Sequence, residues 1–377
     1  MLGSLKVALV HDVLINSGGA ERVLSVFAEA FPEAPIFTGA YHPEKTFPLF
    51  RKRKIHTTFL QKLPHNERLI KYALPIGIAG VESFDFRGYD LVLSSSSFLV
   101  KGIVTPPQTC HICYMHNVFR LLWLKGAYVS GSRKRHTLLD SLLTPLRLWD
   151  FTASQRPDFI ITNSKVTQKR IQKYYRREAE ILHPPIDMSQ FELSKFQDDY
   201  FLCVSRLEPY KRVDLAISAF NELGHRLIVV GDGSQRNELE KLAGGNIEFL
   251  GTVSDELLCE LYPRTQALIF PGEEDFGIVP LEAQASGRPV IAYGAGGVLE
   301  TATPDTGIFF SPQTSEALAG AVKEFETRSF DSERIREHAR RFDKKSFINN
   351  LYAYMEKYFS TFTGKKEVPA PAGSLTG

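Results

Sequence analysis

Two carboxylates, Glu274 and Glu282, are separated by seven residues within Ala267 to Glu300, ALIFPGEEDFGIVPLEAQASGRPVIAYGAGGVLE. Each carboxylate offers two acceptor oxygens, which suits vicinal hydroxyls. Phe276, Gly277, Ile278 and Val279 lie between them, and Pro280 stands where a helix would start. The free N–H groups of such a start receive hydroxyl oxygens or phosphate. Ala267 to Phe270 is an apolar run of strand length, Gly287 ends the helix, and Pro289 to Ala292 reads as the next strand. This places Glu274 on the loop at a strand's C-terminal end and Glu282 in the first turn of the helix. A structural reading competes: two acids near a helix N-terminus, stabilised by its dipole.

A pair of cations, Arg206 and Lys211, falls between a strand, Tyr200 to Ser205, and a helix, Val213 to Leu223. Two fixed cations on a strand-to-helix loop can neutralise a diphosphate leaving group; the alternative is plain surface charge. Gly18 and Gly19 sit between a strand, Lys6 to His11, and a helix, Ala20 to Phe31. That is phosphate-site geometry, in which glycine lets the backbone approach a ligand, although most Gly-Gly pairs are only turns. Glu21 reads as a first-turn dipole residue. His116 ends the strand Cys110 to Met115, where α/β folds place ligands; a lone His is also commonly structural. The Cys110/Cys113 spacing suits zinc, but no second Cys or His pair completes a site, so both read as strand cysteines.

The elements that carry these residues alternate strand and helix, which implies parallel sheets with right-handed crossovers. A chain of 377 residues suggests two domains. We expect a first domain over 1–185, a second over 186–345, a terminal helix over 346–363 and a disordered Pro/Gly/Ala-rich tail over 364–377. The connection is His183-Pro184-Pro185-Ile186-Asp187, because prolines stop regular structure. A break is expected at Tyr128 to Arg135. Four cysteines make no disulfide framework. No apolar run approaches bilayer length, and the N-terminus enters strand-like sequence directly, so the expectation is a cytoplasmic protein. Residues 1–185 hold 25 Lys and Arg against 14 Asp and Glu, a balance of +11; the rest hold 20 against 29, a balance of −9. The basic half, with clusters Arg51 to Lys54 and Arg133 to Arg135, suits an anionic membrane surface bound peripherally; a solvated surface is the plain alternative. No nucleic-acid module is present in the sequence.

Glu-x7-Glu followed by GRPVIAYGAGGVLE resembles the donor site of retaining glycosyltransferases of family 4. These are α/β enzymes of the GT-B fold, two Rossmann-like domains with parallel sheets facing a central cleft, and they use nucleotide sugars. The resemblance runs along nearly the whole chain. It implies that Glu282 holds the ribose, that Glu274 and the amides of Phe276 to Val279 hold the hexose, and that Val253 contacts the base through its backbone. It implies further that Arg206 and Lys211 meet the diphosphate, that Gly18 and Gly19 face it, and that His116 lies near the reacting sugar. The residues after His116 are Asn117-Val118, where the family has Thr-Pro. Family members retain configuration by a front-face path in which the departing phosphate helps deprotonate the acceptor. Asp-x-Asp, the metal-holding pair of many sugar transferases, occurs nowhere in the sequence, so neither metal nor other cofactor is expected. VALVHDVLINSGGAERVL, TPPQTCHICYMH and SRLEPYKRVDLAI resemble a branch that includes bacterial polysaccharide mannosyltransferases. That branch points to GDP-mannose and a saccharide acceptor, lipid-linked, in cell-surface polysaccharide synthesis. UDP-glucose or another nucleotide sugar, a soluble acceptor, a nucleotide-sugar epimerase and a non-catalytic sugar-nucleotide binding subunit stay open.

Overall fold

Short aliphatic runs in the first half pair as seven strands: β1 (Val7–His11), β2 (Ile36–Thr38), β3 (Ile55–Thr57), β4 (Leu91–Ser96), β5 (Cys110–Met115), β6 (Phe159–Thr162) and β7 (Glu180–Ile181). Their order is β3-β2-β1-β4-β5-β6-β7, and every pair is parallel. The structure is a computed structural model that describes residues 4–63, 74–124 and 133–364, with side chains for all of these except 133–142. The expected tail beyond Gly364, the break over 128–132 and the side chains of Arg133 to Arg135 lie outside the described residues.

Alternate residues of each strand point to opposite faces. Val7 and Leu9 of β1 therefore join one core cluster and Ala8 and Val10 another. Helix α1 (Gly19–Ala30) buries Leu24 and Phe27 on the first face. Helix α2 (Leu74–Glu82) contributes Leu74 and Val81 to the other, and helix α3 (Arg133–Ala153) contributes Leu143. With both faces covered, β1, β4 and β5 are buried along their whole length, as parallel strands generally are. Helix α4 (Lys165–Tyr175) starts at Ser164, whose hydroxyl accepts the Thr167 amide.

The second half repeats the pattern with β8 (Phe201–Val204), β9 (Leu227–Val230), β10 (Ile247–Gly251), β11 (Leu268–Phe270), β12 (Val290–Tyr293) and β13 (Gly307–Phe310), in the order β10-β9-β8-β11-β12-β13 and again all parallel. Its longer helices are α5 (Val213–Leu223), α6 (Arg236–Leu242), α7 (Asp255–Leu261), α8 (Ile278–Ala285), α9 (Ser315–Glu326) and α10 (Ser332–Arg340). Phe201 and Cys203 of β8 pack into one cluster and Leu202 into the other. The chain divides into two compact units, Met1–Pro184 with Phe347–Gly377, and Pro185–Ser346. The last helix, α11 (Lys344–Phe362), returns the chain to the first unit. It buries Phe347, Leu351, Met355 and Tyr358 there, with Phe347 stacked on Phe27 at 6.0 Å and Tyr358 on Phe159 at 4.3 Å.

The structure departs from the sequence reading at α8 and at the shortest strands. Helix α8 begins at Ile278, so Pro280 is its third residue and Glu282 lies in the second turn, not the first. Proline is tolerated there because that N–H has no intrahelical partner. Strands β2, β3 and β7 are two or three residues long, too short for an apolar period to mark.

Candidate active site

Each sheet has one place where strand order reverses, between β1 and β4 in the first unit and between β8 and β11 in the second. Crossovers leave in opposite directions from such a point, so a crevice opens at the carboxyl ends of the two strands, and ligands bind there. Gly18 and Gly19 follow β1, Arg206 and Lys211 follow β8 and Glu274 follows β11, all at these switch points; His116 follows β5, beside β4, and Val253 follows the edge strand β10.

In the second unit the loop after β8 carries Arg206 and Lys211, and the loop after β11 carries Glu274. Lys211 Nζ donates to Glu274 Oε1, and its side chain is only 11% exposed. The two line a pocket with Cys203, Ser205, Phe270 and Gly272. The ammonium also stands 5.4 Å from the centre of the Tyr210 ring. Arg206 is not brought into this pair. It is exposed, and its guanidinium donates to the Tyr210 hydroxyl at 2.5 Å. Lys211 is thus a mostly buried partner of Glu274, not the plain surface charge that the sequence left open as an alternative.

The glycines after β12 shape the acidic loop. Gly297 N–H donates to the Glu274 carbonyl at 2.8 Å, and a Cβ on Gly297 would lie 2.2 Å from Phe276 Cα. Only glycine permits that approach. Phe276 is buried against Phe342 at 6.0 Å, and Gly277 caps α8 ahead of Ile278 and Val279. Glu282 is buried, and its Oε2 accepts the hydroxyl of fully buried Tyr262 at 2.7 Å. Tyr262 fixes the Glu282 rotamer, and nothing in the spacing of the carboxylates marked it. Val253 is half-buried between β10 and α7, just before Ser254, whose hydroxyl accepts the Leu257 amide.

In the first unit His11 ends β1 directly opposite Ser95 of β4 in the sheet register. His11 Nδ1 lies 3.0 Å from Ser95 Oγ, and the same oxygen lies 2.8 Å from His116 Nε2. His11 Nε2 faces Glu21 Oε1 at 3.7 Å, while Glu21 Oε2 accepts the Gly18 amide at 3.0 Å. Glu21 is therefore not only a dipole residue: it joins the Gly18-Gly19 loop to the strand ends. Burial raises the Glu21 carboxyl, but the His11 contact and the amides of Glu21 and Gly18 outweigh it and hold it below the usual range. Burial, then His11 and Arg120, pushes His116 down to about 3, so its ring is neutral at ordinary pH. Asp12 builds the adjacent turn, accepting the amides of Ser97, Phe98, Leu99 and Val100 at 2.5–3.0 Å. His11 and Ser95 escaped the sequence reading. The available signal was a histidine ending one strand and a run of serines, Ser94 to Ser97, ending another.

Residues 187–342 match the family described as Glycosyl transferases group 1. That segment is a group 1 glycosyltransferase domain. The chain is 28% identical over 248 residues to the alpha-1,3/1,6-mannosyltransferase ALG2 of Candida glabrata, covering 51% of each chain. It is 26% identical over 214 residues to the O-antigen chain mannosyltransferase RfbU of Salmonella typhimurium, covering 53% of this chain and 60% of that one. The chain thus spans about half of the first relative's length and three fifths of the second's. In fold it is similar to HepE of Anabaena in complex with UDP, with a TM-score of 0.69 and 17% identity, covering 93% of this chain and 100% of that one. Two parallel-sheet α/β domains in one chain make this the GT-B fold, as the resemblance to family 4 glycosyltransferases implied.

Proposed function

We propose that this chain is a retaining, metal-independent glycosyltransferase that moves mannose from GDP-mannose to a saccharide acceptor, lipid-linked, in cell-surface polysaccharide synthesis. The observation that carries the reading is the Lys211–Glu274 pair at the β8/β11 switch point. A donor diphosphate offers Lys211 a doubly charged partner in place of one carboxylate. Glu274 is then released to accept hydroxyls of the hexose, and Lys211 stabilises the charge that develops as the diphosphate leaves. Arg206 adds a second cation from the same loop. Glu282, oriented by Tyr262, takes the ribose, and the amides of Phe276 to Val279 the hexose. A fixed cation supplies the charge that a metal supplies elsewhere, which is the basis for metal independence. From the first unit, taken as the acceptor-side unit, Gly18 and Gly19 face the donor diphosphate and His116 lies near the reacting sugar. Mannose is favoured because ALG2 and RfbU are mannosyltransferases by name. A UDP-sugar is the second reading, favoured by the UDP in the HepE structure.

For the cell, we propose a cytoplasmic protein that docks peripherally on an anionic membrane through its basic first unit. No helix among the described residues is long and apolar enough to cross a membrane. Of the basic cluster, Arg51, Lys52 and Lys54 are exposed, whereas Arg53 donates to the carbonyls of Phe31 and Ala34 beyond the end of α1. Arg53 is thus a structural cap and Arg51 is paired with Glu44 at 2.9 Å, which leaves Lys52 and Lys54 as the surface charge.

A thermal-shift screen against GDP-mannose, UDP-glucose and ADP- and dTDP-sugars tests the donor, because a ligand of the folded state raises Tm. GDP-mannose is expected to give the largest rise, and Lys211→Ala to abolish it. A rise with UDP-glucose alone selects the second reading; a flat response to all of them overturns the assignment. Conversion of the sugar nucleotide with no acceptor present, followed by chromatography, would instead mark an epimerase.

A further inference from the structure

We propose that Glu21, His11 and Ser95 form a positioning chain that places the proton of the His116 ring on Nε2 and leaves Nδ1 as the lone pair presented to a substrate hydroxyl. The inference rests on the reading of His116 as an acceptor-side residue of glycosyl transfer.

The direction of the chain follows from what each group can donate. A carboxylate only accepts, so Glu21 Oε1, 3.7 Å from His11 Nε2, favours an N–H on that nitrogen. In the proposed chain the His11 ring carries one proton, on Nε2, and its lone pair is on Nδ1, 3.0 Å from Ser95 Oγ. A hydroxyl has one proton and two lone pairs. Ser95 spends its proton on His11, so its oxygen accepts from His116 Nε2–H at 2.8 Å. Which nitrogen of an imidazole is protonated is set by the partner of the other, and here the partner of a partner sets it.

Burial makes the choice matter. His11 is 2% exposed and Ser95 0%, so water cannot stand in for either. The sheet makes it rigid, because His11 and Ser95 are register partners on β1 and β4. Glu21 is held from the other side by the Gly18 amide, and a Cβ on Gly18 would sit 2.8 Å from Glu21 Oε2. The glycine loop and His116 are in this way the two ends of one line of polar contacts, hydrogen bonds except for the 3.7 Å ion-pair contact of Glu21 with His11. A doubly protonated His11 would reverse it: Nδ1–H would donate to Ser95, Ser95 to His116 Nε2, and the His116 proton would sit on Nδ1.

Long-range proton–nitrogen correlation NMR on the full chain with 15N-labelled histidine reads the tautomer without substrate, the His116 signal being assigned by its loss in His116→Gln. The wild type is expected as a single Nε2–H tautomer, and Ser95→Ala and Glu21→Gln as mixtures, with Ser95→Thr restoring the single form. With the sugar nucleotide that raises Tm, Ser95→Ala is expected to lower kcat by roughly 10–100-fold, the size typical of partners that orient a working imidazole, while the donor KM is unchanged. A wild-type Nδ1–H tautomer, or a single tautomer retained in both variants, overturns the chain. A tautomer lost in Ser95→Ala together with an unchanged kcat sustains the chain but overturns the acceptor-side role of His116, so the two failures are separable.

Discussion

At Lys211 two demands fall on one ammonium. It holds Glu274 in the free protein, and in the proposed reaction it turns to the diphosphate. A fully exposed ion pair contributes about 0–1 kcal/mol, whereas breaking a buried one costs about 3–5 kcal/mol. Lys211 at 11% and Glu274 at 26% side-chain exposure fall between these cases. Lys211→Ala should therefore lower turnover by roughly 10²–10³ and also lower Tm. Arg206→Ala, at an exposed position, should lower turnover with Tm unchanged. In the Lys211→Ala/Glu274→Ala cycle the losses should be less than additive; strict additivity of the two single effects in kcat and Tm would refute the pairing. A second residue-scale prediction concerns pH. Burial, then Arg177, pushes His111 down to about 3, and the ring is 0% exposed. An unfolded histidine titrates near 6.5. Between these values the unfolded chain binds a proton that the folded chain does not, so stability rises with pH across that window and falls on acidification. Urea unfolding from pH 7 down to 4 should show this loss, and His111→Gln should flatten it; an unaltered slope in the variant would count against the buried neutral ring.

Among the elements, the loop after β11 is the one whose shape is imposed from outside. Its acidic residues carry no regular structure of their own, and the Gly294 to Gly297 turn supports them through the Gly297 amide. Gly297→Ala would drive a methyl into Phe276 Cα and displace the Glu274 to Phe276 backbone. The expected result is a higher donor KM together with a lower kcat, because a misplacement of about 1 Å at a reacting group costs on the order of 10² in rate. Steady-state kinetics on the folded variant decide this, and wild-type constants would show the contact to be idle. The same dependence explains why α8 was legible and its first residue was not. Gly287 and the strand after it mark the end of the helix, but its start depends on Gly277, held at φ 90° at the N-cap, and no apolar period encodes that.

For the whole molecule, the charge balance of +11 over residues 1–185 and −9 over the rest predicts salt-sensitive binding to anionic vesicles. Each basic residue near such a surface contributes about 1 kcal/mol. Co-sedimentation should therefore fall as salt rises from roughly 0.05 to 0.5 M, since the Debye length shrinks over that range. Changing Lys52 and Lys54 to Gln should weaken it, while Arg53 is left in place to cap α1. Protein that stays in the supernatant at low salt would make the basic half a solvated surface and favour a soluble acceptor. Turnover should also persist in excess EDTA; activity lost there and restored by Mg²⁺ or Mn²⁺ would replace the metal-free reading.

The alternation of aliphatic strand runs with helical segments determined the fold class from sequence, because burial on both sheet faces demands that pattern wherever strands are parallel. Spacing likewise brought Glu274, Phe276 to Val279 and Glu282 to one short segment, since residues so close in sequence share a loop and a helix start in any fold. Strand order was beyond its reach. A period states that a strand exists and which faces it has, not which strand lies beside it. Lys211 meets Glu274 across 63 residues and His11 meets Ser95 across 84 only because β8 lies beside β11 and β1 beside β4. The return of α11 to the first unit has the same origin: its apolar stripe records that it must be covered, and the packing alone decides that Phe27 and Phe159 cover it.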